Sequence, residues 1–102
     1  MALDCPALDQ KNYTTARDQN FLMSCNVGLS NFDLVGIVAY IVDDCIEACS
    51  SMNAFNGTNV CTAITFHAAI YDNWNQHANC WLKTQEDVTN TNGVGLLSAA
   101  LQ

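Results

Sequence analysis

The fold of this chain is decided by the stretch Asp43-Asp44-Cys45-Ile46-Glu47-Ala48-Cys49-Ser50-Ser51-Met52. Its two cysteines are four residues apart, so a helix places both sulfur atoms on one face. Ile41, Ala48 and Met52 repeat in phase with them and complete an apolar stripe along that face. The stretch therefore predicts an amphipathic helix whose two thiols point towards the rest of the protein.

The residues at its two ends predict where this helix begins and ends. Asp44 followed by Glu47 fits a capping box, and Asp43 is a second candidate for the N-cap. Asn56-Gly57 favours the left-handed backbone that ends helices. We expect the helix to extend from about Val42 to Ala54.

Composition places the chain in the class of small globular domains. With 102 residues it forms a single domain, 1–102. The longest uncharged apolar run, Leu34 to Val42, is too short to cross a bilayer, so no membrane insertion is expected. Ten acids against three bases argue against nucleic acid and anionic membrane surfaces as partners, because both require a basic patch.

Six cysteines in a chain of this size indicate a secreted, disulfide-bonded protein in an oxidising, extracellular setting. Two N-glycosylation sequons, at Asn12 and Asn56, agree with that location. The opening Met1-Ala2-Leu3 carries no apolar leader, and we expect the sequence to represent the mature protein.

The segments outside the helix read as strands joined by polar loops. Alternation of apolar residues and β-branched composition favour strands. Both sides of the Cys61 to Phe66 segment are mostly apolar, which predicts a central strand. Tyr13, Tyr40 and the phenylalanines are expected in the core, and Trp81 in the core or packed on the sheet. The expected strands are 12–15, 20–25, 34–40, 61–66 and 79–83, with 94–101 as a strand or short helix. The expected loops are 26–33, 67–78 and 84–95, the last of them mobile.

The ordered combination of these pieces resembles the PAN/Apple domain, in the short form found in secreted fungal proteins. The matching pieces are Asp44 to Cys49, Cys61 to Phe66 and Cys80 to Lys83. Phe21 to Cys25, preceded by Cys5-Pro6, resembles the amino-terminal hairpin, and Ser98-Ala99-Ala100-Leu101 resembles the last strand.

The resemblance implies an α+β fold in which one α-helix packs on a twisted antiparallel β-sheet and is stapled to it by disulfides. It pairs the first helix cysteine with the later strand and the second with the earlier one, which gives Cys45–Cys80 and Cys49–Cys61. Apple domains also tie an amino-terminal cysteine to one near the carboxy terminus. No cysteine follows Cys80 here, so Cys5 and Cys25 are left to pair with each other. The sequence by itself does not decide among the possible pairings of the six cysteines.

No residue pattern favours catalysis, a metal or a cofactor. The four later cysteines with His67 and His77 have spacings that zinc accepts, but disulfides fit a secreted chain better. A bridged sulfur is not a nucleophile. Asp43 and Asp44 are adjacent on a helix and point in different directions, so capping explains them better than paired catalysis. We expect a non-enzymatic protein without a cofactor.

The stretch between His67 and His77 combines aromatic side chains with amides and an acid. Such side chains suit a protein hot spot or a sugar site, where rings stack and amides bond hydroxyl groups. The alternative is that Trp74 folds back and covers the helix or the sheet edge. The candidate binding residues are Tyr71, Asp72, Asn73, Trp74, Asn75 and His77.

These observations predict a secreted binding module for a protein or carbohydrate partner. The resemblance adds that small fungal modules of this kind include effectors acting at a host surface or on cell-wall glycans. The alternative from a different class is a self-associating extracellular or cell-surface structural protein that uses exposed apolar edges.

Overall fold

The computed structural model describes residues 5, 7–29, 33–67, 79–84 and 90–102. Within them, one helix packs on a six-stranded antiparallel sheet, as the α+β expectation requires. The strand order across the sheet is β1-β2-β6-β4-β5-β3, so the expected central strand is central. The elements are β1 Asn12–Thr14, β2 Asn20–Leu29, β3 Asp33–Ile37, α1 Val42–Asn56, β4 Ala63–His67, β5 Cys80–Lys83 and β6 Asn90–Leu101.

Two strands are longer than the sequence indicates. Loops were expected over 26–33 and 84–95, yet β2 extends to Leu29 and β6 begins at Asn90. The two extensions pair with each other beyond an irregularity between Cys25 and Val27, where Asn26 has a φ of 61°. Long-range ladder pairing thus outweighs the local turn preference of Asn, Thr and Gly. Residues 85–89 of the expected loop lie outside the described part of the chain.

The helix begins at the expected residue, but its expected cap is wrong. The N-cap is Ile41, with no side-chain hydrogen bond, while Asp43 and Asp44 lie in the first turn. The carboxylate of Glu47 bonds the chain near β1 instead of capping the helix. The helix ends at Asn56, two residues beyond the expected Ala54. The predicted stop signal is confirmed, because Gly57 has a φ of 73° and its N–H donates to the carbonyl of Asn53.

The buried face of α1 is rotated from the expected stripe. Cys45, Ile46 and Cys49 are fully buried, whereas Ile41 is exposed and Met52 is half-buried. These buried residues pack against one face of the sheet, and α1 contacts both β4 and β5. One row of that face crosses five strands: Ile37, Cys80, Phe66, Leu97 and Cys25.

Three disulfides hold this arrangement together: the two that the resemblance implies, and the remaining pair that was expected between Cys5 and Cys25. Cys45–Cys80 joins the helix to β5, and Cys49–Cys61 joins it to the residues before β4. Cys5–Cys25, which we call the N-terminal bridge, fastens the start of the chain to β2. All six cysteines are therefore bridged.

Two buried asparagines reinforce the helix-bound disulfides, and we call them the asparagine clamps. The amide of Asn53 donates to the carbonyl of Cys61 at 2.8 Å and accepts from its N–H at 2.7 Å. In the same way, the amide of Asn79 bonds the carbonyl of Ala39 at 2.7 Å and its N–H at 2.8 Å. Each side chain thus satisfies both backbone groups of one residue, as a neighbouring strand would.

Candidate functional site

Exposed apolar side chains are concentrated at β3 and in the connection from β3 to α1. Among the described residues, six large hydrophobic side chains are exposed, and five of them lie between residues 34 and 41. Tyr40 is 74% exposed and Phe55 is 97% exposed, so the expectation that they belong to the core is wrong. We call these five residues the apolar surface: Leu34, Val35, Val38, Tyr40 and Ile41.

Alternation along the backbone explains why two of these side chains, Val38 and Tyr40, face outward. Ala39 is 3% exposed and both its backbone groups are held by Asn79, so its small side chain points inward. Val38 and Tyr40, on either side of it, must then point away from the core. Because β3 ends the described sheet, no further described strand covers that edge. The backbone between Val38 and Tyr40 is therefore held in place by the hydrogen bonds of Asn79 to Ala39.

The exposed charges that adjoin the apolar surface along the chain are negative. Asp43 and Asp44 are separated from Ile41 only by the buried Val42, are exposed, and form what we call the acidic rim. Residues 33–44 contain three acids and no base. Of the three bases, Lys11 precedes β1 at the opposite end of the sheet and Arg17 bonds Ser51. Lys83 lies opposite Asp33 in the neighbouring strand β5, but it is only 2% exposed.

A second candidate site is a polar cleft between the C-terminal half of α1 and the turn from β1 to β2. Its volume is about 260 Å³. One wall is rigid, since Asn53 and Ser50 are buried, and Ser50 is 2.9 Å from the Thr15 hydroxyl. The amide of Gln19 donates to Asn59 across the opening. The lining residues are Arg17, Gln19, Ser50, Asn53, Ala54, Gly57, Thr58 and Asn59.

The same turn is fixed to the helix by a phenol–carboxylate pair. Tyr13 donates its hydroxyl proton to Glu47 at 2.7 Å, and the N–H of Ala16 donates to the same carboxylate. Desolvation, together with this bond and the negative charges of Glu47 and the acidic rim, raises the pKa of the Tyr13 phenol above its ordinary value. The pair is a structural contact at neutral pH, when the phenol keeps its proton.

The binding residues predicted from the sequence lie outside the described part of the chain. This holds for Tyr71, Asp72, Asn73, Trp74, Asn75 and His77. Of the other sequence candidates, the sequon residues Asn12 and Asn56 are both exposed. Trp81 is half-buried and packs its ring on Gly36 of the neighbouring strand.

Sequence reasoning missed the apolar surface because Val38, Tyr40 and Ile41 look like ordinary core residues. The available signal is the run Val38-Ala39-Tyr40, in which the two large side chains alternate with a single alanine. When the residue that points inward at the end of a strand is a small one, the large residues on either side of it point towards solvent.

No family model matches this chain, and no significant match to a curated protein was found. Among the described residues, no helix is long and apolar enough to span a membrane. In the same residues, no cluster of three or more His, Cys, Asp or Glu side chains is placed to hold a metal ion.

Proposed function

We propose that this protein is a secreted, non-enzymatic recognition module of the PAN/Apple type that binds a protein partner through its apolar surface. The observation that carries the proposal is the concentration of five exposed large hydrophobic side chains within eight consecutive positions, 34–41. Exposed apolar groups gathered in one place mark sites of protein contact, whereas scattered ones need no explanation.

The size of the surface fits a recognition site. The five residues are between 39% and 74% exposed, which together leaves on the order of a few hundred Å² in contact with solvent. A stable interface buries about 800 Å² on each partner, so the apolar surface would supply the centre and polar neighbours the remainder. Tyr40 is the expected anchor, because tyrosine contributes large contact area at a small entropy cost.

The scaffold behind the surface supports binding without rearrangement. The Asn79 clamp fixes Ala39, and the Cys45–Cys80 bridge holds the helix to β5 close by. A surface that is already ordered pays less entropy on association. Secretion is the matching location, because all six cysteines are bridged and such disulfides persist in oxidising compartments. A role as an effector at a host surface rests on the family resemblance alone.

A carbohydrate partner is the second candidate, and the polar cleft favours it. Arg17 uses one nitrogen to bond Ser51, and Asn59 uses its carbonyl oxygen to accept from Gln19. The remaining guanidinium and amide N–H groups suit the hydroxyl oxygens of a sugar. The loop that contains Trp74 remains a further prediction for this class of ligand.

The test is a pull-down with the secreted protein, followed by affinity measurement on the partner obtained. Tyr40→Ser should weaken binding at least tenfold with an unchanged melting temperature, since the side chain is exposed. Phe55→Ser is the matched control, because Phe55 is 97% exposed but lies far along the helix from the apolar surface. Equal effects of the two substitutions would remove the apolar surface as the site. Glycan-array binding sensitive to Asn59→Ala would favour the carbohydrate candidate instead. Light scattering that rises with protein concentration would favour the self-associating alternative.

A further inference from the structure

We infer that the partner of the apolar surface presents apolar side chains flanked by lysine or arginine. This inference rests on the proposed function and adds the charge of the partner to it. It comes from the acidic rim, which lies where a bound segment would pass from the apolar surface onto the helix. The side chains of Asp43 and Asp44 are both exposed and begin two residues after Ile41, with only the buried Val42 between them.

The acidic rim is not cancelled by its surroundings. The helix N-terminus contributes only about half a positive charge, against two full negative charges in the first turn. No base occurs between residues 33 and 44, and Lys83, which β5 places opposite Asp33 at the start of β3, is 2% exposed. The whole chain has a net charge of −7, so the long-range field at this surface is negative as well.

This charge arrangement selects among the occupants that an apolar surface can have. A second copy of the chain would bring its own Asp43 and Asp44 to the contact, and like charges at an interface oppose association. An anionic membrane is repelled for the same reason. A segment with basic residues at its ends places opposite charges beside the rim while its centre covers Tyr40 and Ile41.

The rim should act mainly on the rate of association. Exposed charge pairs contribute little affinity, and each carboxylate is expected to change the dissociation constant by at most about fivefold. Attraction between a negative surface and a basic partner also speeds encounter, and added salt screens it. Specific apolar contact and salt-sensitive association are therefore both expected at one site.

The experiment uses the full chain as bait for a displayed library of random peptides. Peptides are kept only if they bind the native protein and fail to bind the Tyr40→Ser variant, which limits them to the apolar surface. Phe55→Ser serves as the control bait, and the melting temperatures of both variants are compared with that of the native protein. We expect the kept peptides to be enriched in Lys and Arg beside Leu, Ile or aromatic residues.

Binding kinetics of these peptides then test the rim directly. Asp43→Asn and Asp44→Asn should each slow association, and raising sodium chloride from about 0.05 M to about 0.5 M should do the same to the native protein. Asp18→Asn is the matched control: it removes one exposed acid at the turn between β1 and β2, at a φ of 61° that asparagine also tolerates.

The outcomes separate this inference from the proposed function. Peptides that depend on Tyr40 but are neutral or acidic overturn the inference and leave the recognition site intact. Equal effects of the three Asp substitutions also overturn it. A Tyr40-dependent dimer in sedimentation would replace the basic partner with a second copy. Finding no Tyr40-dependent peptide at all would remove both the inference and the proposed protein-binding site.

Discussion

Replacing Asn53 by alanine tests whether the asparagine clamps hold the helix to the sheet. Asn53 is 4% exposed, and its amide satisfies both backbone groups of Cys61, which is fully buried. Alanine leaves that N–H and that carbonyl without these partners. The hydrogen bond that the Asn53 amide donates to the Gln19 side chain at 3.2 Å is lost as well.

The expected loss of stability follows from these contacts. Each buried backbone group left unsatisfied costs about 1–3 kcal/mol, which gives about 2–6 kcal/mol for the pair. Alanine is the better helix former by at most about 0.7 kcal/mol, which offsets a small part. We expect Asn53→Ala to lower the free energy of unfolding by about 2–5 kcal/mol.

The assay is equilibrium urea unfolding with all disulfides intact. Asn56→Ala is the matched control, because Asn56 is in the same helix but exposed, and its amide bonds only the carbonyl of Met52. Its change should stay within about 0.5 kcal/mol. If the two variants unfold within about 0.5 kcal/mol of each other, the clamp contributes nothing and the Cys49–Cys61 bridge fixes the helix alone.

Three further outcomes are expected. Removing both cysteines of the Cys49–Cys61 bridge should lower the urea midpoint more than removing both cysteines of the N-terminal bridge, because the former fixes the helix beside the central strand. Stability should fall as the pH rises above about 10, since an unfolded tyrosine then ionises while folded Tyr13 keeps its proton, and Tyr13→Phe should flatten this alkaline limb. Gly36→Ala should cost about 1–3 kcal/mol, because the added methyl group would overlap the ring of Trp81.

Each of these outcomes has a control and a contrary result. Equal urea midpoints for the two disulfide variants would show that fixing the helix to the sheet contributes no more to stability than fixing the start of the chain. Tyr40→Phe replaces an exposed phenol and is the control, which should keep the loss of stability at alkaline pH. If Tyr13→Phe also keeps that loss, a group other than Tyr13 causes it. Gly57→Ala separates overlap from backbone strain, since Gly57 has open space around it but a positive φ. Full stability of Gly36→Ala would show that Trp81 moves aside freely.

The helix and the central strands could be predicted because their signals are local. Cys45, Cys49 and their apolar neighbours are spaced with the period of a helix, and Gly57 is the C-cap at which that helix ends. The rotation of the helix could not be predicted, because Glu47, Ser50 and Asn53 look like solvent-facing residues. They are polar because they bond the turn after β1 and the residues before β4, contacts made only after the chain has folded.

The candidate site was harder to predict than the fold for the same reason. Exposure of Tyr40 depends on β3 being the end strand of the described sheet, and sequence periodicity gives no strand order. The extensions of β2 and β6 also depend on each other, since neither the Asn26 nor the Asn90 region favours a strand alone. Properties set by which strands become neighbours therefore lay beyond the sequence, whereas properties set within one segment did not.

The three disulfides differ in how a reductant can reach them. Four cysteines, at positions 45, 49, 61 and 80, have no exposed surface, whereas Cys5 is only partly buried. Thiol exchange needs direct attack on a sulfur atom, so a dilute reductant should open the N-terminal bridge first, while the folded core shields the other two. The product would be a folded protein with two free thiols at one known place. Those thiols offer attachment points for a label or a surface, at the far end of the sheet from Tyr40.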